Sequence, residues 1–329
     1  MGGRRSWLTV ERVILVFLVA GTWMRQDTRT RNAALIPPRS ERSEEPRHAW
    51  HLVGGRSWQI EGAAPEAGPE AAADDEGTGA CSHGMIEVAG RMKVERPGAE
   101  PIEELQNTTC TAWLQREFPE RCAKFDEEQW RTLSAPLPTT EMQFCIDRFE
   151  YPNVRGEFPI IMVSWREAQA LCASNGKRLC TEAEWTFACE GEDARPYPYG
   201  YERDANACDI DRAWIPYHEV ALRDRTSEDT MRELDSLWQG TSSGASPGCR
   251  SPFGVYDMTG NVDEWTVSTR REGLPSIFKG GYWGPVRARC RASTRVHDPD
   301  FAFYQQGFRC CSAESDADGG PAAPEGDAD

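Results

Sequence analysis

Twelve cysteines, at 81, 110, 122, 145, 172, 180, 189, 208, 249, 290, 310 and 311, are the residues of this 329-residue chain with the clearest capacity for chemistry. Thiols can close disulfides or, as thiolates, hold a soft metal. Structural zinc sites bring close pairs such as CxxC, whereas the tightest spacings here are one vicinal pair and gaps of eight or more. The count is even and no cysteine falls in either flank, so the pattern favours a disulfide framework over metal ligation. The five histidines, His48, His51, His83, His218 and His297, are scattered. A non-haem iron site needs two histidines and a carboxylate with open positions, and the spacing offers no such cluster. Each of the five reads as a surface histidine.

A disulfide framework implies an oxidising compartment, and the N-terminus agrees. Arg4, Arg5 and Arg12 precede the apolar run Val13 to Ala20, followed by Gly21 and Thr22 and then Arg25. That order is the n-region, h-region and small-residue site of an export signal. Only twelve residues separate Arg12 from Arg25, short of the roughly 20 that cross a bilayer as a helix, so a short anchor is the weaker alternative and no stable membrane span is expected. Arg4-Arg5-Ser6-Trp7-Leu8 also resembles a twin-arginine motif, which leaves two export routes to the periplasm or exterior open. With 53 acidic against 37 basic residues the formal charge is -16, and no basic stripe interrupts it, so nucleic-acid binding is not expected.

The elements that would position this chemistry lie between the flanks. Residues 1–24 read as the export signal or short anchor. Residues 25–80, rich in Pro, Ala, Gly, Arg and Glu without sustained periodicity, read as a disordered linker. Residues 81–312 form one folded unit of about 230 residues, and 313–329 a solvated acidic tail. Inside the unit, Ser164 with Glu167 forms a capping box before Trp165, Ala168, Leu171 and Cys172, and Asn175-Gly176 ends that helix. Thr181 with Glu184 forms a second box before Trp185, Ala188 and Cys189, stopping near Gly191. Other apolar runs are short and strand-like, such as Met85 to Val88 and Phe158 to Val163. The expected class is α+β, helix-poor and loop-rich.

The ordered motifs Gly176-Lys177-Arg178-Leu179-Cys180-Thr181-Glu182-Ala183-Glu184-Trp185, Pro196-Tyr197-Pro198-Tyr199-Gly200, FGVYDMTGNVDEWT (Phe253 to Thr266), Lys279-Gly280-Gly281 and Gly307-Phe308-Arg309-Cys310 resemble the sulfatase-modifying-factor family, the formylglycine-generating enzymes and their non-oxidase relatives. The resemblance covers Met85 to Cys311, with an extra cysteine-bearing segment around Cys110 and Cys122. It implies a disulfide-stapled, loop-rich α+β fold related to C-type lectins, with the first strand near Met85 to Val88 close to the last near Phe308 to Cys310.

The resemblance also implies chemistry. It pairs Cys172 with Cys310 and Cys189 with Cys290; Cys180–Cys208 and Cys110–Cys122 are pairings from proximity only, and Cys81, Cys145, Cys249 and Cys311 have no assigned partner. It implies structural calcium, with Asn261, the Val262 carbonyl and Glu264 as ligands and a second site near Asp209 and the Ile210 carbonyl; Asp263 replaces the aromatic residue usual in that motif. It implies a ligand groove built from Trp265, Tyr282, Trp283, Phe301, Phe303 and Tyr304 with Arg287, Arg295 and Asp298, about half of the six aromatics being packing residues. The family oxidases bind copper through two cysteines between the KGG and RC motifs. Here that segment reads GGYWGPVRARC, with no cysteine before Cys290, so copper is not expected, nor iron.

Two functions stand at this stage. One is an exported, catalytically reduced family member that binds a peptide, glycan or envelope partner in an aromatic groove. The other is an active oxidase converting a sulfatase cysteine to formylglycine, or a non-haem iron relative. The missing cysteine pair favours the first.

Overall fold

The structure is a computed structural model that describes residues 46–62, 77–268, 270 and 272–313. The expected export signal lies outside the described residues, as do nearly all of the acidic tail and positions 25–45 and 63–76 of the expected linker. From Arg47 onward the described chain forms one unit of two four-stranded sheets, two two-stranded hairpins and five short helices.

The first sheet has the order β3-β6-β12-β7. Strands β3 (Met85–Lys93) and β6 (Thr139–Asp147) pair antiparallel without a break from Met85↔Asp147 to Lys93↔Thr139. Alternation then sends Ile86, Val88, Phe144 and Ile146 to one face, where they pack with Trp185, Phe187, Val255 and Met258. Strand β12 (Cys310–Ser312) inserts between β6 and β7 (Arg178–Leu179). The first strand of the expected domain therefore sits two places from the last, with β6 between them.

The second sheet, β10-β9-β8-β11, is built from β8 (Asp263–Val267), β9 (Ser276–Lys279), β10 (Ser293–Thr294) and β11 (Gln306–Phe308), with β11 parallel to β8. A single residue, Arg309, separates β11 from β12 and carries the chain from one sheet to the other. Helices α1 (Ile102–Asn107), α2 (Glu127–Ser134), α3 (Trp165–Ser174), α4 (Glu182–Glu190) and α5 (Glu228–Leu237) surround the sheets. Both capping boxes are complete: Ser164 with Glu167 opens α3, and Thr181 with Glu184 opens α4, in each case satisfying backbone donors that the first turn leaves without partners.

Six disulfides use all twelve cysteines: Cys81–Cys145, Cys110–Cys122, Cys172–Cys310, Cys180–Cys311, Cys189–Cys290 and Cys208–Cys249. Cys172–Cys310 and Cys189–Cys290 are the pairs the resemblance implied. The Cys180–Cys208 pairing is corrected. Neighbouring residues of a strand point to opposite faces, so the vicinal cysteines of β12 separate: Cys310 packs with Trp265, Phe278 and Phe308, and Cys311 with Ile86, Val88 and Phe144. Cys311 thereby reaches Cys180 at the start of α4, and Cys208 is left for Cys249.

The linker expectation is also corrected at residues 47–62. There, β1 (Trp50–Val53) and β2 (Ser57–Ile60) form a hairpin closed by Gly54-Gly55, both at positive φ. Trp58 exchanges backbone hydrogen bonds with Ile161, at 3.0 and 2.8 Å, and buries its ring with Ile60 against Leu234, Leu237, Trp238 and Trp283. Asp235 of α5 holds the entry to the hairpin, accepting from the backbone N–H of Arg47 at 2.7 Å and of His48 at 3.0 Å and from the Trp50 indole at 3.1 Å. Five apolar residues fall in these eleven positions without sustained alternation, and Trp50, Trp58 and Ile60 join one core cluster.

Candidate functional site

A groove of about 480 Å³ opens where the second sheet meets the loops around it. Its base comes from Asp263 at the start of β8, Phe278 of β9 and Gly280-Gly281 beyond it. One wall is the segment carrying His297, Phe301 and Phe303. Tyr217, Tyr282 and Arg287 contribute further sides, and the tip of the hairpin β4 (Cys110–Gln115)–β5 (Arg121–Phe125) reaches the groove with Phe118 and Pro119. The two glycines are required for this shape. Both have positive φ, and a Cβ on Gly280 would come within 2.9 Å of the Met258 carbonyl, one on Gly281 within 2.9 Å of the Val286 side chain.

Asp263 is the one acid lining the groove. The backbone N–H of Gly281 donates to its Oδ1 at 3.0 Å. Burial raises its pKa to about 7; the Gly281 hydrogen bond opposes this and the neighbouring Glu264 carboxylate adds to it. His297 stacks on Phe301 with ring centroids 4.0 Å apart, and burial lowers its pKa, so the imidazole is neutral at physiological pH. Burial also raises the Tyr282 hydroxyl, with Asp263 adding. Arg287 is already engaged: its guanidinium donates to Glu103 Oε1 at 3.3 Å and to the Ser293 carbonyl at 2.9 Å, and lies 5.0 Å from the Phe118 ring centroid.

Of the residues expected in the groove, Tyr282, Arg287, Phe301 and Phe303 line it. Trp265, Trp283 and Tyr304 do not; they are core residues, 1%, 2% and 3% exposed. The Trp265 ring lies 3.6 Å from Phe278 and its Nε1 donates to the Val163 carbonyl at 2.8 Å. Trp283 packs edge-on against Trp238 at 4.9 Å. Arg295 pairs with Glu182, and Asp298 turns its own loop by accepting from the Asp300 N–H at 2.9 Å, so neither charge lines the groove. Phe118, Tyr217, Asp263, His297 and Gln305 were missed. The extra cysteine pair beside Phe118 and the carboxylate in place of an aromatic at 263 were the available signals.

The side chains inferred as calcium ligands from the motif, Glu264 and Asn261, are engaged with other groups of the protein. Glu264, 1% exposed, gives both carboxylate oxygens to Arg309, at 2.6 and 2.7 Å, and Oε2 also accepts from the Trp185 indole at 2.8 Å. Asn261 Oδ1 accepts from the Thr241 N–H at 2.9 Å while its Nδ2 donates to Glu150 Oε2 at 2.7 Å. Val262 donates its N–H to Glu150 Oε1 at 3.3 Å. Asp209 Oδ1 accepts from Arg212 at 2.6 Å; its Oδ2, buried without a partner, is one orphan oxygen beside Ile210, not a cage. Among the described residues no three His, Cys, Asp or Glu side chains converge as a metal-binding group. Glu264, as arranged, does not fit a calcium ligand, because the Arg309 guanidinium occupies the position of charge neutraliser.

Around that pair lies a buried acidic cluster. Burial pushes Glu150 well above its ordinary range, with Asp257 and Glu264 adding and Arg309 opposing. Asp257 is pushed up to about 7, chiefly by burial. Arg309 also donates to the carbonyls of Asp147, Arg148 and Tyr256 at 3.2, 3.4 and 3.0 Å, so one side chain fastens β6, the 253–266 segment and β11–β12 together.

A second hollow, about 760 Å³, lies between residues 124–128 and 199–204 and is lined by five carboxylates. Three of these already serve the fold: Asp126 caps α2, Glu127 pairs with Arg131 and Glu202 with Lys124.

Residues 108–314 match the sulfatase-modifying factor enzyme 1-like domain. The chain belongs to the sulfatase-modifying-factor family. Among its relatives, the cattle (Bos taurus) protein named inactive C-alpha-formylglycine-generating enzyme 2 is 34% identical over 165 residues, which is 47% of this chain and 50% of that protein. The cattle formylglycine-generating enzyme is 30% identical over 181 residues, 48% of this chain and 45% of that one. The chain thus spans about half the length of these curated relatives. The solved structure of PvdO from Pseudomonas aeruginosa aligns over 70% of this chain and 94% of that one, at 17% identity and a TM-score of 0.42. In this member of the sulfatase-modifying-factor family, the groove that carries Tyr282 holds no thiol: all twelve cysteines are in disulfides, Cys310 and Cys311 included.

Proposed function

We propose that this sulfatase-modifying-factor protein is a binding member of its family, which holds a peptide segment of another protein in the aromatic groove and does not generate formylglycine. The observation that carries this reading is the chemistry of the groove. Copper(I) oxidation needs a pair of soft thiolates, and here the positions between KGG and RC carry Tyr282, Trp283 and Pro285, while every cysteine elsewhere is oxidised and paired. The aromatic sides, one carboxyl and one neutral imidazole suit stacking and a few directed hydrogen bonds. A relative named as inactive, matching over about half of each chain, agrees with this reading. The six disulfides support an oxidising compartment for the domain. We assign export to the N-terminal segment, by the twin-arginine or the general route.

The experiment has two arms. The oxidised protein is incubated with copper, reductant, oxygen and a cysteine peptide carrying the sulfatase recognition motif, and mass spectrometry follows conversion to the aldehyde. No conversion above a copper-only control is expected; conversion restores the oxidase. In the second arm, peptides and glycans from display libraries are selected on the protein and re-tested on Tyr282→Ala. Selection of peptides whose binding the substitution weakens supports the proposal, and selection of glycans alone replaces it with a lectin-like role.

A further inference from the structure

The disulfide-tied hairpin β4–β5 is aimed at the groove and fixed in place. Cys110–Cys122 closes it across its two strands. Arg121 locks it again, donating to Gln115 Oε1 within the hairpin and to Asp211 Oδ1 on the body, both at 3.1 Å. The Tyr197 hydroxyl donates to the Cys122 carbonyl at 2.6 Å, and the Arg203 N–H to the Ala123 carbonyl at 2.8 Å. At the tip of this rigid arm stands Phe118, 73% exposed. Its ring is not loose: the Arg287 guanidinium backs it at 5.0 Å, and Arg287 is in turn held by Glu103 and the Ser293 carbonyl. An aromatic ring kept in water, braced on one side and continuous with a concave site has a contact to make on its open side.

Resting on the peptide-binding reading above, we infer that Phe118 is a specificity-determining wall of the groove and selects a peptide with a bulky apolar side chain at the position facing the hairpin tip. The charges support an apolar occupant over an acidic one. Arg287, the cation beside Phe118, lies between Glu103 at 3.3 Å, a carboxylate it shares with Arg289, and Glu120 at 4.0 Å, so two acids face the two guanidiniums and little net attraction is left for an incoming carboxylate. The one acid lining the groove, Asp263, already accepts from the Gly281 N–H. A pre-positioned ring adds contact area without an ordering cost at binding, the condition under which a single aromatic becomes an anchor.

The probe is a fluorescent peptide selected from a randomised display library on the wild-type protein. The selected sequences are expected to share a Leu, Met, Phe or Trp at one position. Phe118→Ala should weaken the probe roughly tenfold, equivalent to about 1.4 kcal/mol, with the melting temperature unchanged because the ring is exposed; Phe118→Leu should recover most of the loss. Replacing the apolar residue of the peptide by Ser should weaken binding to the wild type and leave binding to Phe118→Ala nearly unaltered, the coupling expected of two groups in contact. If Tyr282→Ala loses the probe while Phe118→Ala binds as the wild type does, the wall is refuted and the groove reading stands. If no peptide is selected, or the selected peptides ignore both substitutions, the groove reading falls and the wall falls with it.

Discussion

Arg309 and Glu264 form a bidentate ion pair, at 2.6 and 2.7 Å, in which the guanidinium is fully buried and the carboxylate is 1% exposed. The pair joins the GNVDEW and GFRC motifs at the seam between the two sheets. It explains why both motifs belong to one structural device, and it has a direct consequence for stability.

Glu264→Gln keeps the shape of the side chain and removes its charge, leaving Arg309 buried without a full counter-charge. The loss should be about 3–5 kcal/mol, read from the denaturant midpoint. Because Glu264 serves Arg309, the loss should be the same in excess calcium and in chelator. A calcium-dependent difference would return Glu264 to the ligand role that its motif suggested.

The disulfide pattern can be read directly. Peptide mapping without reduction should recover Cys180 joined to Cys311 and Cys208 joined to Cys249. Removing the Cys172–Cys310 bridge should destabilise the protein by about 2–3 kcal/mol in the chain-entropy view, because Cys180–Cys311 already closes most of the same loop. Recovery of Cys180 with Cys208 would refute the separation of the vicinal cysteines onto opposite faces of β12.

The dependence of stability on pH has a defined sign. Asp257 and Asp263, both raised to about 7 chiefly by burial, hold their protons more tightly in the folded chain than in the unfolded one, where the ordinary value is 3.8. Their contribution is complete below about pH 4 and is lost as pH rises through about 7. Glu103 and Asp211 act oppositely: burial raises them, but the arginines beside them prevail and hold both below their ordinary values, so their contribution is lost as pH falls through those lowered values. Asp263→Asn should therefore flatten the fall in urea midpoint between about pH 4 and pH 7. A slope identical to wild type would show that Asp263 is ionised in the folded state at mildly acidic pH.

Trp58→Ala tests the N-terminal hairpin. The ring is 6% exposed within a core cluster, so its loss should cost about 3–5 kcal/mol, visible as a lowered melting temperature. A cost below about 1 kcal/mol would mean that residues 47–62 are accessory to the fold.

What the sequence alone determined about this protein is local or covalent. The capping boxes at Ser164 and Thr181 depend on residues three positions apart, and both helices begin where they were expected. The even cysteine count and its confinement to 81–311 implied a disulfide framework, and the ordered motifs implied the family. Tertiary structure decided whatever depends on which face is covered. Trp283 and Tyr282 are adjacent, yet one fills the core beside Trp238 and the other lines the groove, because the chain turns at Gly281 and sends the two side chains to different environments. Glu264 carries the same carboxylate whether it binds a cation or a guanidinium, and its pairing with Arg309, 45 residues away, appears only in the tertiary structure. The hairpin at 50–60 and the Phe118 arm left weak signals for the same reason. A few apolar residues become structural, or become a binding wall, through contacts with segments distant in the chain, and spacing along the chain carries no record of those contacts.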